Sequence, residues 1–341
     1  MEVNLISDTV TLPSEGMLDA INKAKIGDDV YKEDPSINEL EEKVAKLFNK
    51  EDALFFPSGT MANQTAIKIH TSPGEQLICD HYSHVFNYEG GGVSFNSGVS
   101  CNLIEGNRGM INSDQIISKI NPPDFYHSPL TSLVCLENST NKGGGAVYAI
   151  NEIEKIKAVC KENNLGLHLD GARIWNAIIA SKTNPSQYGP LFDSISVCFS
   201  KGLGAPVGSA LISSKEFIQK ALRIRKVLGG GMRQSGILAA AASYAIDNHW
   251  TDLEEDHFKA KDLEKELIKL SFIKKVEHVE TNIVIFELIN DIDNRVLLEI
   301  LNKKGIRISD MGNNRLRIVT HRDYTKKQHD YVLAVLSSLK F

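Results

Sequence analysis

Between about residues 36 and 215, short apolar runs alternate with amphipathic stretches at helical spacing, and this restricts the chain more than any other feature. Parallel strands need long crossovers, and helices supply them, so such an order predicts an α/β unit with a mostly parallel central sheet and helices on both faces. The candidate strands are Leu54–Phe56, Gln76–Asp80, Leu133–Glu137, Leu165–Asp170 and Ser194–Phe199. Each is short, apolar and closed by polar residues or glycine, as strands covered on both faces are. Ser36 followed by Glu39 predicts a capping box, opening a helix whose stripe is Ile37, Leu40, Val44, Leu47 and Phe48.

The pattern changes further on. A long helical stretch, Ile237 to Leu270, precedes an alternating run (Thr281 to Leu288), a helix (Asn294 to Lys304), strand-like runs around Ile306 and Leu316, and a last helix. This reads as a smaller C-terminal α+β domain. At 341 residues the chain exceeds one typical domain, and the junction is placed near 247: residues 1–247 form the large domain, including the N-terminal segment, and 248–341 the small one.

A formal charge of −5 gives no basic excess of the kind nucleic acid or an anionic membrane would require, so a small-molecule partner is expected. The five cysteines (Cys79, Cys101, Cys135, Cys160, Cys198) are scattered in apolar runs without a CxxC pair, which predicts reduced core thiols and no metal. An acid near the start, Glu2, where a signal peptide would be basic, and the lack of a membrane-length apolar run predict a cytoplasmic protein.

The chemistry concentrates at predicted strand ends. In Val197-Cys198-Phe199-Ser200-Lys201-Gly202-Leu203-Gly204, an apolar strand delivers Lys201 to the C-terminal edge of the sheet, where ligands of open α/β sheets bind. A lone lysine is usually solvated, but a partly desolvated amine becomes a nucleophile toward an aldehyde. Leu167-His168-Leu169-Asp170-Gly171 brings a carboxylate to the same edge. Taken alone Asp170 could equally be a helix cap; beside Lys201 it suits pyridoxal 5'-phosphate (PLP), whose ring nitrogen needs an acid partner for the ring to act as electron sink. Ser58-Gly59-Thr60 turns a strand into a helix and offers amides, hydroxyls and a dipole to a phosphate. His84, after the next strand, could stack on a ring or act as acid or base, although a loop histidine is more often solvated.

Together these segments resemble the L-threonine aldolase family, PLP enzymes with the aspartate-aminotransferase fold. The resemblance rests on Ser7-Asp8-Thr9-Val10-Thr11, Gly27-Asp28-Asp29-Val30-Tyr31 with Glu33-Asp34-Pro35, Pro57-Ser58-Gly59-Thr60-Met61, His168-Leu169-Asp170-Gly171-Ala172-Arg173, Ser200 to Gly208, and Gly229-Gly230-Gly231-Met232-Arg233-Gln234. It implies Lys201 as the lysine that carries PLP as a Schiff base, Asp170 as the pyridine partner and His84 as the stacked ring. Ser58, Gly59 and Thr60 are then phosphate contacts, with Arg233 a further one from a neighbouring subunit. Arg173, Arg317 and Ser7 hold the substrate carboxylate, as a guanidinium fork suits that group. His127 is a second active-site histidine, Tyr31 reaches in across a subunit contact, and the assembly is a homotetramer.

The implied reaction is retro-aldol cleavage of L-threonine, L-allo-threonine and related β-hydroxy amino acids to glycine and an aldehyde, with His84, His127 or a water as base. The same Lys201 and Asp170 would serve a β-lyase, a serine hydroxymethyl transferase or a racemase, and a non-catalytic PLP-binding relative is the remaining alternative. One departure stands out: family members read Glu-Asn-Thr-His where this chain has Glu137-Asn138-Ser139-Thr140.

Overall fold

Successive residues of the central strands belong to different cores. Phe55, Ile78 and Val134 enter the largest cluster, whereas Phe56 enters another, and Leu77, Cys79 and Leu133 a third. Side chains alternate across a pleated strand, so both faces of this sheet are covered, which explains the near-continuous apolar runs. The computed structural model describes residues 1–341.

Strand β1 (Val3–Asn4) begins the chain. It is followed by β2 (Asp52–Phe56), β3 (Gln76–Asp80), β4 (Ser100–Ile104), β5 (Thr131–Glu137), β6 (Gly166–Gly171), β7 (Ser194–Cys198) and β8 (Ser209–Ser213). Strands β2 to β8 form one seven-stranded sheet in the order β2-β8-β7-β6-β5-β3-β4. Only β8 runs against its neighbours, so the C-terminal ends of the other six share one edge. The sequence reading did not include β4, an edge strand with polar Ser100 and Asn102, or β8, which follows the Lys201 loop directly.

The second unit holds β9 (Ile273–Val276), β10 (Ile283–Leu288), β11 (Ile306–Arg307), β12 (Ser309–Gly312) and β13 (Arg315–Val319). Four of these make an antiparallel sheet, β12-β13-β10-β9, and β11 pairs in parallel with β1 through Val3 and Ile306. Val3 and Leu5 accordingly lie in the same apolar core as Leu263, Phe286 and Ile318. The first residues thus brace the small sheet before the chain crosses to the large one. No helix is long and apolar enough to cross a membrane, and all five cysteines are free.

Two local expectations are corrected. The stretch Ile237 to Leu270 is two helices, Gly236–Asn248 and Leu253–Leu267. The break lets His249 Nδ1 bond Leu203 O at 2.8 Å and lets Trp250 meet Trp175 edge-on at 5.4 Å. The helix expected to open at Ser36 instead spans Pro35–Leu47 with Asp34 as N-cap. Proline is favoured at the first helical position, where its missing N–H costs nothing. Ser36 Oγ donates to Lys25 O.

Asp34 is fully buried; its Oδ1 accepts from Ile37 N and its Oδ2 from Gly236 N at 2.8 Å, so one carboxylate serves the starts of two helices. Asp34→Ala should therefore lose about 2 to 4 kcal/mol in urea unfolding, a cap plus an orphaned buried amide. Exposed Ser36→Ala should lose about 0.5 kcal/mol or less. A larger loss in Ser36→Ala than in Asp34→Ala would mean that Ser36, not Asp34, carries the cap.

Candidate active site

The shared sheet edge collects the chemistry. An open cleft of about 280 Å³ is lined by Thr9, Ser58, Gly59, Thr60, Asn63, His84, Glu89, Asp170, Cys198 and Lys201, among others. Sequence reasoning named six of these: Ser58, Gly59, Thr60, His84, Asp170 and Lys201. It did not single out Asn63, Glu89 or Cys198. For Asn63 a signal existed, since Asn63 and Gln64 interrupt an otherwise apolar helical face and both are buried.

Each wall has a structural cause. Ser58 Oγ caps the helix Gly59–His70 by accepting from Met61 N, and a helix start leaves its first amides unpaired. A Cβ on Gly59 would lie 2.7 Å from Cys198 Sγ, so the close approach of this turn to β7 needs glycine. Lys201 follows β7 after a two-residue step, with Nζ 3.6 Å from Cys198 Sγ. Thr11 Oγ1 donates to Lys201 O at 2.9 Å, which ties the lysine loop to the N-terminal segment.

Asp170, at the end of β6, is buried; its Oδ1 accepts from Ala172 N and its Oδ2 from Asn63 Nδ2 at 3.0 Å. Glu137 ends β5 in register with Asp170. Burial, then the charge of Asp170, pushes the Glu137 carboxyl up to about 7, although it accepts from His84 N and Asn141 N. His84 Nδ1 sits 3.0 Å from Glu89 Oε1. Burial would lower this imidazole, but the Glu89 hydrogen bond and the nearby carboxylates outweigh it and raise it.

An amine, a buried carboxylate, an imidazole and a capped helix start therefore converge on one cleft. That donor set fits an aromatic aldehyde bearing a ring nitrogen and a phosphate. His84, Glu89 and Asp170 also stand close enough to share an ion, but their oxygens are already engaged by Asn63, Gln64, His84 and Ala172.

The remaining candidates are distributed differently. Arg173 is buried, and its Nε and Nη2 both donate to Asp8, each at 2.8 Å, leaving Nη1 outside that pair. Asn282 Nδ2 also donates to Asp8. Burial alone would raise the Asp8 carboxyl, yet the Arg173 charge and hydrogen bonds bring it down to about 2. Ser7 Oγ accepts from Thr9 N. Arg317 donates from Nη1 to Asn141 Oδ1 and from Nη2 to Ile6 O, while its buried Nε has no partner. Burial, then repulsion from Arg173, lowers Arg317 to about 10. Tyr31 is 71% exposed, and Arg233 is exposed and bonded to Asp28. His127 is exposed beside Tyr126, in the loop before β5, and residues of that loop pair with the start of β3. It therefore lies at the edge of the sheet opposite Asp170. At the family departure, Thr140 Oγ1 donates to Arg108 O.

Comparison with known proteins follows the same lines. Residues 4–290 match the beta-eliminating lyase family model. The low-specificity L-threonine aldolase 1 of Arabidopsis thaliana is 39% identical, over 97% of this chain and 94% of its own length. The low specificity L-threonine aldolase of Escherichia coli strain K12 is 38% identical, over 96% of each. A solved Leishmania major threonine aldolase superposes with a TM-score of 0.83 over 98% of each chain at 21% identity, which shows a shared fold.

The depressed Asp8 carboxyl has a pH consequence. An acid lowered on folding adds stability that is fully present above its unfolded value near 3.8 and lost as pH falls through about 2. That contribution should amount to about 2 kcal/mol. The gap in unfolding free energy between wild type and Asp8→Asn should narrow between pH 4 and pH 2. A gap constant across that window would show that Asp8 is not ion-paired.

Proposed function

This chain belongs to the beta-eliminating lyase family and, within it, to the low-specificity L-threonine aldolases, and from that premise we propose that it cleaves L-threonine, L-allo-threonine and related β-hydroxy-α-amino acids to glycine and an aldehyde. The observation that carries this reading is the shared cleft of Lys201 and Asp170 below the capped turn Ser58-Gly59-Thr60. Pyridoxal 5'-phosphate, when bound, supplies the electron sink for breaking the Cα–Cβ bond. Lys201 Nζ would hold its aldehyde, Asp170 its ring nitrogen, His84 a ring face, and Ser58, Gly59 and Thr60 its phosphate.

The chain's own groups then divide the work. Asp170 keeps a fixed orientation because Asn63 and Ala172 both donate to it. Arg317 is in no ion pair, and its Nη1 and Nη2 each keep a second N–H, beyond the bonds to Asn141 and Ile6, for the substrate carboxylate. Arg173, with two nitrogens on Asp8, is left to assist through Nη1, and Ser7 would add its hydroxyl. Fixing the carboxylate orients the scissile bond, an effect on geometry as much as on affinity. With Nδ1 on Glu89, His84 has Nε2 free to take the β-hydroxyl proton, directly or through a water, and an imidazole whose pKa is raised is a stronger base toward that proton. His127 stands at the opposite sheet edge, so any role for it requires another subunit.

The reading includes a homotetramer, a dimer of dimers. Tyr31 and Arg233 do not line this protomer's cleft, and a second copy that supplied them would complete it. The five free thiols fit a reducing compartment such as the cytoplasm.

The protein supplied with PLP should release acetaldehyde from L-threonine and L-allo-threonine. 2-Oxobutanoate and ammonia without aldehyde would replace this reading with β-elimination. Arg317→Leu should raise KM for threonine about 100-fold, the scale of a charge-assisted contact, with the bound-cofactor spectrum unchanged. Because the base must be deprotonated, kcat should fall as pH drops through a pKa above the usual histidine value. His84→Phe should remove that limb of the profile; if the limb persists, the proton goes elsewhere.

A further inference from the structure

Asn63 touches both acids that flank the cleft. Its Nδ2 donates to Asp170 Oδ2 at 3.0 Å and to Glu89 Oε1 at 2.9 Å, and Glu89 Oε1 is also the partner of His84 Nδ1. Asn63 is buried on the helix Gly59–His70. Carboxylates only accept, so the amide nitrogen must face them, and Oδ1 must face the other way. There Oδ1 meets Ser196 Oγ at 2.6 Å and His168 Nε2 at 3.1 Å.

Those contacts force the protons farther back. Oδ1 can only accept, so His168 must carry its proton on Nε2. Its Nδ1, 2.8 Å from Ser194 Oγ, is then the acceptor of the serine proton. Ser194 Oγ in turn lies 2.8 Å from His70 Nε2, which donates to it. Burial lowers His168 to about 4 and His70 to about 3, so each ring is neutral at pH 7 and carries one proton. His168 and Ser194 are register partners on β6 and β7, as are Asp170 and Ser196, so the sheet itself sets the spacing.

We propose that Asn63 is a positioning residue that couples Asp170 to the Glu89–His84 pair, and that the buried chain His70–Ser194–His168 fixes its amide so that both donors face the acids. A flipped amide would set its oxygen against two carboxylates. The chain therefore determines where the ring-nitrogen partner and the stacked imidazole sit relative to each other. The inference rests on the cofactor reading for its catalytic consequence but not for its proton arrangement.

Nitrogen-15 NMR of the cofactor-free protein at pH 7 should show His168 as the neutral Nε2–H tautomer. In Asn63→Leu, which removes the acceptor, that preference should be lost while the rest of the spectrum persists. With PLP bound, His168→Leu should lower kcat about tenfold, the worth of one hydrogen bond to a polar network, at nearly constant KM. His168→Gln, whose amide N–H replaces Nε2–H, should recover kcat to within about twofold, although both changes remove the same ring. A wild-type His168 protonated on Nδ1, or a His168→Leu enzyme with unchanged kcat, would overturn the proposal. Wild-type protein that shows the tautomer but takes up no PLP would instead count against the cofactor reading.

Discussion

The buried pair of Asp8 and Arg173 joins parts of the molecule that are far apart in sequence. Asp8 follows a strand held in the small unit, Arg173 follows β6 of the large sheet, and Asn282 of the small unit donates to the same carboxylate. Two charges removed from water are tolerated only when their remaining hydrogen-bonding capacity is met, and here the guanidinium fork and Asn282 meet it. The N-terminal segment is thereby fixed along the cleft, where Thr9 lines the wall and Thr11 holds the lysine loop. The same pairing occupies Arg173 and leaves Arg317 outside any ion pair, so a structural interaction decides which arginine is free for an anion.

A second constraint is electrostatic crowding. Asp170, Glu89 and Glu137 are all buried around one imidazole. Like charges at short range cannot all ionise freely, and the structure relieves this in two ways. Glu137 is pushed toward neutrality, and Asp170 and Glu89 are given amide donors from Asn63 and Gln64. A cationic ring nitrogen beside Asp170 would relieve it further, which gives a physical reason for the cleft to prefer such a ligand. Burial would lower the His84 imidazole, but the same carboxylates outweigh it and raise it.

The glycine turn, the capped helix and the lysine loop all depend on β7 and β8. Because β8 reverses direction, β2 and β7 run the same way and end on one edge with β8 between them. Ser58 after β2 and Lys201 after β7 are brought to the same cleft despite lying more than a hundred residues apart in sequence.

Much of this was legible in the chain. The alternation of short apolar runs with amphipathic stretches determined an α/β sheet covered on both faces, because only helices can cover both sides of parallel strands. Lys201, Asp170, His84 and Ser58 to Thr60 were marked by their places at strand ends, a local property. Other features depended on partners distant in sequence. Pro35 at the first helical position makes Asp34 the cap, a local signal, but its second oxygen serves Gly236 N. After Asn248 the helix gives way to a turn in which His249 meets Leu203 O and Trp250 meets Trp175. Asn63, Glu89 and the fork of Arg173 on Asp8 were also decided by the tertiary structure. A buried polar group takes its role from the donors and acceptors that surround it, and those are set by packing between strands and helices rather than by spacing along the chain.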